Sequence, residues 1–422
     1  MKKILPLLIR FANRKQTFSI LFISTFLCLN YSCIEKFSPN LDDFNPSQLI
    51  VVEGQITDEV GPFRVKLSTT FEIDKNQQYA PPVYGADVQI FDDKGNQYQL
   101  YYTVEGWYET EDKNLKGVAG NTYTLNITLE DGTQYESTPV LMQDVPEIDS
   151  VYFEETIKTR FEDGEAIDEN WLDILVDAND PSGQTEYWKW NLEETWEVKT
   201  PKDSIAITIQ PEDRPSYYIV LNVEFKDGNA QELWDNNKEK CWVTVPSANI
   251  LIESTEKMAV NEIVKFPVKS IAPKGDMLHM KYSLLVKQTA LSKETYDFLE
   301  RLKGANEDSG SLYDKVPSQI FGNIQCCGGK QKALGYFSAS VVKTKRIFIN
   351  TFEHGVETKD AYEGCQFRFF NPRQENYYLG HIVAVSNKKY ANSIGKKLYS
   401  QDNWCADCRL YGTSVKPDFW ED

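Results

Sequence analysis

Residues 122–130 read TYTLNITLE. Tyr123, Leu125, Ile127 and Leu129 fall on one side of an extended chain, and Thr122, Thr124, Asn126 and Thr128 on the other. A strict period of two predicts a strand with one face on a core and the other toward water. The neighbouring runs repeat the pattern. LIVVEGQIT (49–57) reads as a first strand, FRVKLS (63–68) puts Val65 and Leu67 on one face, and ADVQIF (86–91) sets Val88 and Ile90 opposite Asp87 and Gln89. Turn signals at Asp93-Lys94-Gly95-Asn96 and Asp131-Gly132 separate the runs. Roughly six or seven short strands at this spacing predict an immunoglobulin-like β-sandwich, placed at 48–147.

A boundary is expected at Val145-Pro146, with a larger β-rich, sandwich-like domain over 148–422. Its strands are read from IDSVYFEE (148–155), WLDILVDA (171–178), SIAITIQ (204–210), YYIVLNVEF (217–225), GYFSASVV (335–342), RIFINTF (346–352) and YYLGHIVAV (377–385). In YWKWNLEETWEV (187–198), Trp188 and Trp190 face the same side; a sandwich core anchored on them is the first reading and an aromatic binding platform the second. One helical insertion is expected near 291–303. Ser292 is its N-cap, Leu291 and Tyr296 form a staple, Glu294 complements the dipole, and Tyr296, Leu299 and Leu302 make one apolar stripe ended by Gly304.

The chain of 422 residues is mainly β in character: 13% aromatic and 41% apolar, with 26% charged residues, too apolar for wholesale disorder. A formal net charge of −18 repels phosphate backbones and argues against nucleic-acid binding. Three scattered histidines, His279, His354 and His381, give histidine metal sites and histidine-based triads little material. No cofactor is implied.

The first 33 residues read as an address. Lys2, Lys3, Arg10, Arg14 and Lys15 precede an apolar run from Phe18 to Leu29, too short for the roughly 20 residues that span a bilayer. Ser32 and then Cys33 follow. Residues 1–32 are read as a signal peptide, and Cys33 as a bacterial lipoprotein cysteine that becomes the lipidated N-terminus in the outer membrane. Asn30 stands where such signals usually have Leu. The polar stretch 33–47, with Pro39, Pro46 and Asp42/Asp43, is a tether.

Six cysteines remain in the second half: Cys241, Cys326, Cys327, Cys365, Cys405 and Cys408. An even number in an exported chain reads as disulfides, with the pairing left open. Two other readings use the same residues: a four-thiolate zinc site from Cys405, Cys408, Cys326 and Cys327, and a Cys405–Cys408 redox pair. The adjacent acids Asp92/Asp93, Glu154/Glu155 and Glu193/Glu194 read as solvated surface, outside any catalytic signature. Asp177-Ala-Asn-Asp180-Pro-Ser-Gly183 reads as a tight turn between strands and lacks the twelve-residue calcium pattern. His279 and His381 are assigned to strand-like segments, and Phe419-Trp420 is expected against the body. No catalytic residue is assigned.

Four segments taken together carry a family resemblance. They are LIVVEGQITDEVGPFRVKLS (49–68); GVAGNTYTLNI (117–127) with YESTPV (135–140) and IDSVYFE (148–154); KQTALSKETYDFLERL (287–302) with GSLYDKVPSQIFGNI (310–324); and CADCRLYGTSVKPDFW (405–420). In this order they resemble a family of Bacteroidota outer-membrane lipoproteins classified as domain of unknown function 4249. The resemblance implies an outward-facing lipoprotein, with a TonB-dependent transporter as partner and a part similar to that of SusD-type lipoproteins on a different fold. The ligand it implies is a glycan, peptide or other nutrient. A glycan- or protein-binding adhesin without a transporter is the alternative, and a hydrolase with an unrecognised site the third reading.

Overall fold

The computed structural model describes residues 49–70, 79–199, 223–226, 229–232, 240–307, 320–328, 332–361, 367–369, 383–385, 398–400 and 408–421. The signal peptide, Cys33 and its tether lie outside these residues, as do SIAITIQ, His381, Cys365 and Cys405.

Eight strands come first: β1 (Ile50–Thr57), β2 (Arg64–Thr69), β3 (Asp87–Asp92), β4 (Gln97–Tyr102), β5 (Trp107–Thr110), β6 (Thr122–Thr128), β7 (Gln134–Ser137) and β8 (Val140–Leu141). A long hairpin follows, β9 (Ser150–Glu162) and β10 (Glu165–Asn179), then β11 (Tyr187–Lys199), β12 (Val223–Lys226), β13 (Asn229–Glu232), β14 (Lys240–Pro246), β15 (Leu251–Ser254), β16 (Glu262–Ile271) and β17 (Tyr282–Ala290). Helix α1 (Lys293–Glu307) leads to β18 (Ile324–Cys326), β19 (Ala333–Ser340) and β20 (Lys343–Ile349). The short strands β21 (Phe367–Phe369), β22 (Val383–Val385) and β23 (Leu398–Ser400) form a sheet of their own. The fold is mainly β, as the alternation required.

The first eight strands join β18 and β19 in one ten-stranded sheet, ordered β18-β7-β6-β3-β4-β5-β2-β1-β19, with β8 on β6. The sheet curls until its ends approach, where Gln143 bridges Ser340 and Gln325 bridges Lys332. Opposite walls meet across a core that includes Phe63, Leu67, Ile90, Leu125 and Phe337. β6 buries Tyr123, Leu125 and Ile127 and leaves the residues between them half-buried. The turn glycines Gly95 and Gly132 both adopt positive φ, which is why those positions punctuate the strands.

Parallel pairing of β1 with β19, from Ile50 opposite Ala333 to Thr57 opposite Ser340, closes one end of the sheet. Gly335 has φ +93°, and a Cβ there would lie 1.9 Å from the Val52 carbonyl oxygen, so only glycine fits this seam.

The hairpin β9–β10 pairs along its whole length, and β16 adds to β10 over Leu172–Asn179. β11 is the centre of a five-stranded sheet, with β14, β15 and β17 paired to it and β20 outside β17. Trp188 and Trp190 are fully buried, which rules out the aromatic-platform reading. Trp190 stacks on Phe266 at 4.5 Å, and its Nε1 donates to Gln288 Oε1 at 2.9 Å. Gln288 in turn donates to the Pro146 carbonyl, so the segment leaving the large sheet is pinned to β17.

Helix α1 begins as its sequence predicts. The Thr295 amide donates to Ser292 Oγ at 3.2 Å, and Leu291 and Tyr296 pack with Tyr187 and Ile252. Thr295 and Phe298 are its most buried positions, one residue round from the expected stripe, with Phe298 against Tyr336 at 5.0 Å. The helix does not stop at Gly304 but runs to Glu307. Glycine permits a left-handed cap without enforcing it, and Gly304 is not among the residues with positive φ.

Candidate ligand-contact surface

Alternation that buries one face of the large sheet leaves the other to polar and aromatic side chains. The register places Glu136, Asn126, Gln89 and Gln99 in one row across β7, β6, β3 and β4. A second row runs Tyr101, Glu109, Arg64 across β4, β5 and β2, and a third runs Trp107, Lys66, Glu53 across β5, β2 and β1.

Side-chain amides tie the first row together. Gln89 Nε2 donates to Asp87 Oδ2 at 3.0 Å and to Gln99 Oε1 at 3.1 Å, while Gln99 Nε2 donates to Asp87 Oδ1 at 2.8 Å. Glu109 sits between two cations, Arg64 at 2.8 Å and Lys113 at 2.9 Å. The Lys113 hydrogen bond, helped by Arg64, holds its carboxyl below the usual carboxylate range against a partial burial effect. Lys66 Nζ lies over the Trp107 ring at 5.7 Å.

At the β4–β5 turn Tyr101 belongs to this face, whereas Tyr102 alternates to the core-facing side with Tyr108, and Tyr84 packs on it there. Tyr84 is 62% and Tyr101 51% exposed. Tyr84 meets Tyr102 at 5.2 Å between ring centroids, and Tyr102 meets buried Tyr108 edge-on at 5.5 Å. Tyr108 holds the loop that carries Tyr84, because its hydroxyl donates to the Val83 carbonyl at 2.9 Å and accepts from the Ala86 amide. On the outer face, Tyr101 lies beside the amide and carboxylate row, with Trp107 on the next strand. Such a set stacks on apolar ring faces and exchanges hydrogen bonds with hydroxyls.

The residues singled out from sequence fall elsewhere. Cys241 and Cys408 form a disulfide that joins β14 to the C-terminal segment across a sequence separation of 167. That bond takes Cys408 out of both the four-thiolate zinc site and the Cys405–Cys408 redox pair. Cys326 and Cys327 are free thiols: β18 ends at Cys326, and Cys327 begins the following turn, close to Glu136. Among the described residues, no group of three or more His, Cys, Asp or Glu side chains is placed to hold a metal ion.

Two of the acid pairs correct the solvated-surface expectation. Glu194 is buried, with Lys269 at 2.9 Å and the Tyr282 hydroxyl donating to it at 3.0 Å. Burial and the Glu194 charge push the Tyr282 phenol well above its usual range. Asp92 is buried in the β3–β4 turn, where it accepts from the Lys94 and Asn96 amides. Glu154 and Glu155 stay exposed, the former paired with Lys265 at 2.6 Å.

Asp180 makes the expected turn between β10 and β11, accepting from the amides of Ser182, Gln184 and Thr185. Burial pushes its carboxyl up, but these bonds, the Ser182 hydroxyl among them, outweigh it and hold the group below its ordinary value. His279 lies in a turn before β17, not in a strand; its amide donates to the Asp276 carbonyl. Trp420 is buried against Trp242 and Phe348, and Phe419 lies under Arg346.

Of the contact face, the sequence exposed Asp87 and Gln89 through strict alternation. Tyr101 is not marked in the same way, because QYQLYY ends on two adjacent tyrosines that point to opposite faces.

A mainly β body with an amide-rich, aromatic-edged outer face defines a class of protein by architecture, not by chemistry. More particularly, residues 34–346 match the model of a family described as Domain of unknown function (DUF4249), and the chain belongs to that family. No curated protein matches it. No helix among the described residues is long and apolar enough to cross a membrane.

Proposed function

We propose that this protein is a non-enzymatic, lipid-anchored surface protein that captures a ligand on the outer face of its large sheet for a TonB-dependent transporter. Cys33 is its attachment to the outer membrane. The observation that supports ligand capture is the corner of the outer face where Tyr101 and Trp107 stand near the Asp87, Gln89 and Gln99 row. Planar rings stack on sugar faces while amides and carboxylates bind hydroxyls, so a glycan suits this corner best. The transporter partnership is supported by the family resemblance alone.

Glycan-array binding by the mature chain tests the ligand, with Tyr101→Ala and Trp107→Ala expected to abolish it and leave the fold intact. Co-purification from gently solubilised membranes tests the partner. Recovery of the lipoprotein always alone, with glycan binding retained, would favour a second reading, an adhesin that works without a transporter; the tyrosines clustered at one end of the sheet are the observation for it.

A further inference from the structure

The β9–β10 hairpin outruns its sheet. β16 covers β10 only from Leu172 to Asn179, so between the turn at Asp163-Gly164 and Trp171 the two strands form a ribbon with no third strand among the described residues. The far margin of β9 pairs with nothing among the described residues. Ile157 and Phe161 project from one face of this ribbon, 72% and 78% exposed. An isolated two-stranded ribbon is marginal in water, and an open strand margin invites another strand.

We infer that β9 is the interface of a symmetric dimer, in which the β9 strands of two copies pair antiparallel about a two-fold axis through Ile157. The inference is independent of the ligand face, which lies on the other sheet. Its warrant is the strand's self-complementarity, SVYFEETIKTRFE over Ser150–Glu162. Pairing centred on Ile157 sets Ile157 against its own copy, Phe161 against Phe153, Arg160 against Glu154, Thr159 against Glu155 and Lys158 against Thr156.

Only even shifts keep like faces together, and the neighbouring two are poorer. Centring on Lys158 opposes two lysines, and centring on Thr156 puts Ile157 against Glu155. The charges that meet are already part of alternating networks. Arg160 lies 2.7 Å from Glu169 and 2.7 Å from Glu162, and Glu154 lies 2.6 Å from Lys265, so the seam would join the two networks. Glu155 already accepts from the Gly355 amide at 2.7 Å, and the register asks only that Thr159 lie beside it. Two three-stranded sheets become one of six, and the exposed Ile157 and Phe161 each gain an apolar neighbour across the seam.

Sedimentation of the mature chain in mild detergent, over a roughly hundredfold concentration range, tests this. A reversible dimer is expected. Ile157→Asp, which opposes two carboxylates at the axis, should weaken it at least about tenfold without changing the unfolding transition, because the side chain is exposed. Ile157→Cys, with Cys326 and Cys327 replaced by serine, should oxidise to a covalent dimer, since directly opposed strand positions fall within disulfide reach. Thr156→Cys and Lys158→Cys should cross-link far less. A monomer at every concentration, a dimer indifferent to Ile157→Asp, or cross-linking strongest away from residue 157 would each overturn the inference.

Discussion

β6 and β11 are both central strands, and they solve burial differently. β6 alternates buried and half-buried residues throughout and gives one face to the core. β11 is enclosed from both sides by its neighbours and carries Glu194 and Glu197 inside, together with Trp188 and Trp190. The carboxylates are tolerated there because Lys269 on β16 and Lys240 on β14 reach them at 2.9 and 2.8 Å. A strand with one buried face can be read from its own residues. A strand buried on both faces depends on partners that lie elsewhere in the chain.

The sharpest test of this contrast removes the covalent link that fixes the β11 sheet to the C-terminal segment. Cys408→Ser should cost about 4 kcal/mol in urea unfolding, as expected for a bond across a loop this long. A loss below about 1 kcal/mol would show that the link constrains nothing. Glu194→Ala should cost about 3 kcal/mol, since it leaves the buried Tyr282 hydroxyl and the half-buried Lys269 without their partner, and Lys269→Met should recover part of that in the double variant.

Acid should act through the turn that feeds β11. The Asp180 carboxyl is held below its ordinary value in the folded chain, so its stabilisation is complete above about pH 4 and is lost as pH falls through the folded value. Asp180→Asn should cost about 1 kcal/mol at neutral pH and flatten that acid slope in pH-dependent unfolding curves.

Lys189 offers the opposite sign. Its side chain is half-buried between Ile252 and Thr289, and burial alone lowers its ammonium below the usual lysine range. Lys189→Met should therefore stabilise by about 1 kcal/mol in the same denaturant assay. At the small end stands the open face: Gln99→Ala should change stability by no more than about 0.5 kcal/mol, with any larger effect falling on ligand binding.

The same contrast explains what could be read in advance. TYTLNITLE states its fold because every second residue is apolar and most of those between are polar. Glu193-Glu194 looked like surface because nothing nearby neutralises them; Lys269 and Tyr282 enter only when β16 and β17 assemble. The pairing of β1 with β19 was equally hidden, since strand patterns give a face but not a partner. Half of the contact surface was legible through Asp87 and Gln89. Tyr101 was not, because QYQLYY ends on two adjacent tyrosines and only the assembled sheet decides which of them faces outward.

The seam between β1 and β19 also sets a timetable. A polypeptide made from its amino end can form the β1–β2 hairpin early, yet the other margin of β1 stays bare until residues 333–340 have been made. The large sheet is closed by a strand made long after its first eight, and slow, long-range closure of this kind leaves adhesive backbone waiting. Fragments cut before Ala333 would keep that margin open for good, so proteolytic shortening should make the chain aggregate well before its first strands are touched.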